Sequence, residues 1–161
     1  MAISLLTVTL LGTLSLLGTM LLGYRVSFGA ALVKTHFLAA FGATTLLVMG
    51  HAFILFFLIA TGVELKDMER ANGWGDSFRR RTIALKGRVF PLATLTLLLV
   101  MANFILGAAA HTRALPPLVH ELLAWTTLAC CLVTLHREYR ALGDNNRLIA
   151  EAGRRRRSPP A

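Results

Sequence analysis

The chemistry open to this chain rests on five histidines and on Asn103, which interrupts an otherwise apolar run. Imidazoles from facing helices can hold a haem iron axially, and helical bundle cores host such groups. His36 and His51 are separated by a helical rotation of about 60°, so one helix can present both on one side. His120 and His136 differ by about 160°, which puts them on nearly opposite faces. Two haems, one between His36 and His120 and one between His51 and His136, therefore fit poorly. One haem b on His36 and His120 fits, as does a quinone pocket using His51. The cofactor-binding candidates are His36, His51, His120 and Asn103.

Two other readings stand beside this one. His36, His111, His120 and Glu121 are suitable zinc or copper ligands, gathered from three helices at one end of the molecule. Alternatively, His51 and Asn103 hydrogen-bond across helices and fix packing without chemistry, with Thr44, Thr45, Thr126 and Thr127 joining them or bonding to their own backbones. On that reading the chain is a non-catalytic accessory or assembly subunit of a larger membrane complex. His111 and His136 are expected to be ordinary interfacial histidines.

Several chemistries find no support. His120-Glu121 is not followed by a second histidine four residues after His120, so no zinc-protease helix exists. The glycines of Gly73-Trp74-Gly75 are turn residues. No nucleophile stands beside a base, and the chain is expected not to be an enzyme on its own. No acid is expected deep inside a span and no half is repeated, which speaks against a transporter.

The elements that must position these residues are membrane helices. The chain has 161 residues, 55% of them hydrophobic, and a mean hydropathy of +0.63. Crossing a bilayer takes about 20 apolar residues. Four stretches qualify, with spans expected near 3–22, 35–63, 89–110 and 118–138. The fold class expected is all-α, a four-transmembrane-helix up-and-down bundle over 1–143, followed by a basic tail over 144–161. The first stretch lacks a basic leader and a small-residue cleavage site, so it is expected to remain as the first helix. Cys130 and Cys131 are adjacent on the fourth span and point about 100° apart, which makes them packing residues.

Local signals refine the spans. Helical character continues past Val63 until Gly73, projecting Glu64, Lys66, Asp67, Glu69 and Arg70 from the membrane. The following stretch, 73–88, reads as a basic loop with Trp74 and Phe78 at headgroup level. Pro91 is expected in the first turn of span three, and Glu121 in the first turn of span four. Gly143 is expected to end the fourth helix, with a short surface helix over 144–152 and a disordered tail beyond it.

Charge sets the orientation. Of the 17 lysines and arginines, seven lie in 64–88 and seven follow the fourth span, leaving only Arg25, Lys34 and Arg113 on the other side. Basic loops stay cytoplasmic. Both termini are therefore expected inside, in a bacterial plasma (inner) membrane. The net charge of +9 belongs to these flanks and does not mark a nucleic-acid binder. Arg154, Arg155, Arg156 and Arg157 could meet anionic lipid.

Overall fold

A computed structural model describes residues 2–26 and 30–157. They form four helices: α1 (Ala2–Gly23), α2 (Ala30–Asn72), α3 (Ser77–His111) and α4 (Pro117–Arg157). The described residues contain no strand. All four helices are long and apolar enough to cross a membrane.

At about 1.5 Å per residue, the 22 residues of α1 span roughly 33 Å, close to one hydrocarbon core. The 43, 35 and 41 residues of α2, α3 and α4 are longer than that. Most of their surplus lies at one end, beyond the level of Ala2. There the three helices continue as a polar stalk.

Several local expectations fail at this stalk. The stretch 77–88 is helix, not loop, so Pro91 sits deep inside α3. Phe78 is 1% exposed and packs in the core rather than at headgroup level. Gly143 does not end α4, which runs unbroken to Arg157. A mid-helix glycine costs about 1 kcal/mol. The burial of Leu142, Asn145, Leu148 and Ala152 around it outweighs that cost. Residues 153–157, expected to be disordered, are the last turn of this helix, while residues 158–161 lie outside the described residues. Glu121 is the fifth residue of α4 and lies past its first turn.

The stop of α2 is as expected. Gly73 has φ +64°, and the Trp74 N–H donates to the Glu69 carbonyl at 3.1 Å, the left-handed closure that glycine permits. Glu69 then starts the next helix. Its carboxylate accepts from the backbone N–H of Phe78 at 2.6 Å and of Arg79 at 2.9 Å. This negative charge satisfies donors at the positive end of α3. Glu69 is therefore 3% exposed, not a projecting surface residue.

Contacts fix the order of the helices. Gly12 meets Leu47, and Gly23 meets His36, so α1 and α2 run in opposite directions. Gly62 meets Thr82 across α2 and α3, and the Phe37 and Phe41 rings meet Phe104. Arg81 pairs with Glu151, and Gly107 meets His120, across α3 and α4. Buried positions along α4 recur at spacings of four and three: Thr127, Cys131, Thr134, Glu138, Ala141, Asn145. That spacing is the seam of helices packed at a shallow angle. Large apolar side chains face outward, among them Phe56 at 65% and Ile105 at 62% exposure. A surface of this kind suits acyl chains.

Candidate functional site: a polar layer and a histidine end

The buried core is divided. One apolar cluster includes Leu16, Ala43, Leu47, Val100, Leu128 and Cys131. The other includes Ile54, Leu58, Phe78, Val89, Ala93 and Leu142. Between them lies a layer of polar side chains, each 0% exposed: Thr9 of α1, His51 of α2, Thr96 of α3, and Thr134 and Glu138 of α4.

His51 Nδ1 and Glu138 Oε1 are 2.8 Å apart. The Thr96 and Thr134 hydroxyls are 2.7 Å apart. Thr9 bonds to its own helix, at the Leu5 carbonyl, and packs on Gly50. A Cβ at Gly50 would lie 2.5 Å from Thr9 Oγ1, so the bare backbone there lets α1 approach α2 beside His51. Two turns further along α4, Asn145 is also 0% exposed and lies 3.0 Å from Thr61 Oγ1. The Thr61 hydroxyl lies in donating range of both Asn145 Oδ1 and the Phe57 carbonyl, the latter at 2.9 Å, and Asn145 Nδ2 has no partner among the described residues.

Glu138, the last residue of the expected fourth span, is a fully buried acid that the sequence reading did not single out. It also replaces His136 as the partner of His51, because His136 faces outward. The signal was present in the sequence: Thr127, Thr134, Glu138 and Asn145 fall at heptad-like spacing, a polar stripe on an apolar helix. Two atoms of the pair, His51 Nε2 and Glu138 Oε2, are buried without a hydrogen-bond partner among the described residues. Unpaired polar atoms in such a setting are costly.

The second cluster lies at the end opposite the stalk. His36 Nδ1 is 3.1 Å from the Thr19 carbonyl, which fixes its proton on Nδ1 and leaves Nε2 with a lone pair. Its ring rests against Gly23, where a Cβ would be 3.1 Å from Cε1. The His120 ring rests on Gly107 in the same way, with a corresponding distance of 2.9 Å. The His36 and His120 imidazoles lie within electrostatic reach of each other. Asn103 stands one turn from Gly107 on α3 and is 8% exposed. His120 Nδ1 and Asn103 Oδ1 are both buried without a partner among the described residues.

The four-ligand metal set does not assemble. Among the described residues no three histidine, cysteine, aspartate or glutamate side chains form a group able to hold a metal ion. His111 ends α3 and is exposed. Glu121 instead accepts a 2.6 Å hydrogen bond from the Tyr24 hydroxyl, which in turn accepts from Trp125 Nε1 at 3.2 Å. This set ties the end of α1 to α4. The bond to Glu121 raises the Tyr24 phenol above its ordinary value, with Trp125 opposing it. Thr45, Thr126 and Thr127 each donate to the carbonyl four residues back in their own helix.

The chain matches no protein-family description, no curated protein and no solved structure.

Proposed function

We propose that the chain is an integral membrane subunit of a bacterial inner membrane, an up-and-down four-helix bundle that takes part in redox chemistry by holding haem b, or the head group of a quinone, at its histidine end. The observation that carries this reading is that His120 Nδ1 and Asn103 Oδ1 are buried and unsatisfied at the end of the bundle that also holds His36. Such atoms are what a bound polar group would satisfy. His36 fits axial ligation, because a backbone carbonyl holds Nδ1 and leaves Nε2 for the iron. A haem there would supply one-electron transfer; the protein's part is to hold and orient it.

In this reading the stalk and both termini are cytoplasmic, because fourteen of the 17 basic residues flank that side. A reporter inserted at Gly75 or fused after Ala161 should be cytoplasmic, and one at Arg113 external. An external Gly75 would reverse the orientation.

The ligand is tested by the visible spectrum of the purified protein. A Soret band that is lost in His36→Ala and in His120→Ala, with both variants still inserted, supports haem. Loss of the band in His51→Ala alone would move the ligand into the polar layer. Absence of a band, with quinone recovered by solvent extraction, favours the quinone. A preparation with neither overturns the redox reading.

One set of observations favours a second reading, an accessory subunit of a larger membrane complex. The His51–Glu138, Thr61–Asn145 and Thr96–Thr134 contacts are all buried and all join different helices. They supply a specific packing with no ligand required. Co-purification of a fixed set of membrane partners with a colourless, quinone-free protein supports it.

A further inference from the structure

The groove beside the start of α1 combines features that neither cluster of histidines uses. It has a volume of about 910 Å³ and opens between α3 and α4 where α1 begins. Its lining includes apolar side chains, among them Ala2, Leu6, Val89 and Leu92. It also includes Arg88, Arg137, Arg140 and Arg147. Its lining holds four arginines against a single acid, Asp144, which stands 3.8 Å from Arg147. Arg137 leans across to α3, donating to the Arg88 carbonyl at 3.4 Å. Among the described residues no carboxylate pairs with Arg88 or Arg140.

The position of this groove along the helices matters as much as its charge. It sits at the level where the apolar length of α1 begins. There the uncharged stretch of α3 after Arg88 and that of α4 before Arg137 both meet charge. Basic side chains therefore share a groove with apolar ones at the boundary between hydrocarbon and head groups.

We propose that this groove binds an anionic phospholipid. The arginines take its phosphate in paired hydrogen bonds, and the acyl chains lie along Leu6 and Leu92. Guanidinium forks match phosphate oxygens, and basic pockets between membrane helices suit lipid head groups. The site is distinct from the four arginines at the end of α4, where Arg155 lies over the Trp74 ring at 5.2 Å.

The test is native mass spectrometry of the full-length protein, stripped of lipid in detergent and titrated with phosphatidylglycerol or phosphatidylcholine. Phosphatidylglycerol should bind preferentially. The Arg88→Gln/Arg140→Gln variant should weaken its binding by about tenfold or more, since each arginine contributes near the surface. A variant with glutamine at 154–157 should bind as the parent does. Inorganic phosphate at equal concentration should not displace the lipid, because it lacks the chains. Both arginines are exposed, so the variant should keep the parent's thermal transition; if it does not, Arg140→Gln alone replaces it. Equal binding of the two lipids, an unchanged groove variant, loss confined to the tail variant, or displacement by phosphate would each overturn the proposal.

Discussion

His51 and Glu138 lie 2.8 Å apart, each without solvent exposure, on two helices that run in the same direction. The direction follows from Thr61 and Asn145, the next pair along, which lie further on in both α2 and α4. Removing one member of a buried pair strands the other. His51→Ala should cost about 3–5 kcal/mol, whereas the paired apolar replacement His51→Leu/Glu138→Leu should cost much less. Reversible unfolding in mixed micelles measures both. If His51→Ala and Glu138→Ala add without coupling, the pair is not energetically linked.

Two glycines separate close packing from helix propensity. A side chain at Gly50 would press on Thr9 at 2.5 Å and on its Cα at 3.0 Å, while nothing lies within 4 Å of a Cβ at Gly18. Gly50→Ala should destabilise by about 1–3 kcal/mol. Gly18→Ala should be neutral or gain up to about 1 kcal/mol. The same unfolding measurement decides, and equal effects would contradict the α1–α2 approach.

Glu69 and Asp76 flank the start of α3, but of their two side chains only that of Glu69 bonds to its amides. Glu69→Ala should cost about 1–3 kcal/mol through the donors it leaves unsatisfied. Asp76→Ala should be nearly silent, since its contact with Arg79 is an exposed pair at 3.8 Å. Hydrogen exchange at the Phe78 and Arg79 amides should speed up only in the Glu69 variant. Faster exchange in both would assign the cap to Asp76 as well.

Tyr24 provides a titration. Its bond to Glu121 favours the protonated phenol. The stabilisation is complete below the unfolded phenol value of about 10 and is lost as pH rises through the raised folded value. In a Tyr139→Phe background Tyr24 is the only tyrosine. Its phenolate absorbance should then appear at higher pH than in free tyrosine, and Glu121→Gln should move it down. An unchanged midpoint in that variant would remove Glu121 as the cause.

The four apolar stretches were legible from the sequence alone, because hydropathy over about 20 residues depends only on local composition. The separate helix expected over 144–152, however, is part of α4. The sequence also determined the stop at Gly73, since a left-handed turn residue is a local requirement. It did not place the start of α3 or carry α4 past Gly143. Both depend on partners distant in sequence: Glu69 satisfies the Phe78 and Arg79 amides, and burial of Leu148 and Ala152 extends α4. The choice of inward face was the largest decision left to tertiary structure. Helices apolar on every side give little contrast from which to read a buried stripe, and packing must select one. Packing chose the polar stripe through Thr134, Glu138 and Asn145, whose side chains find partners at Thr96, His51 and Thr61 of neighbouring helices. His51 therefore met Glu138, a partner 87 positions away in the chain, and His136 was turned outward.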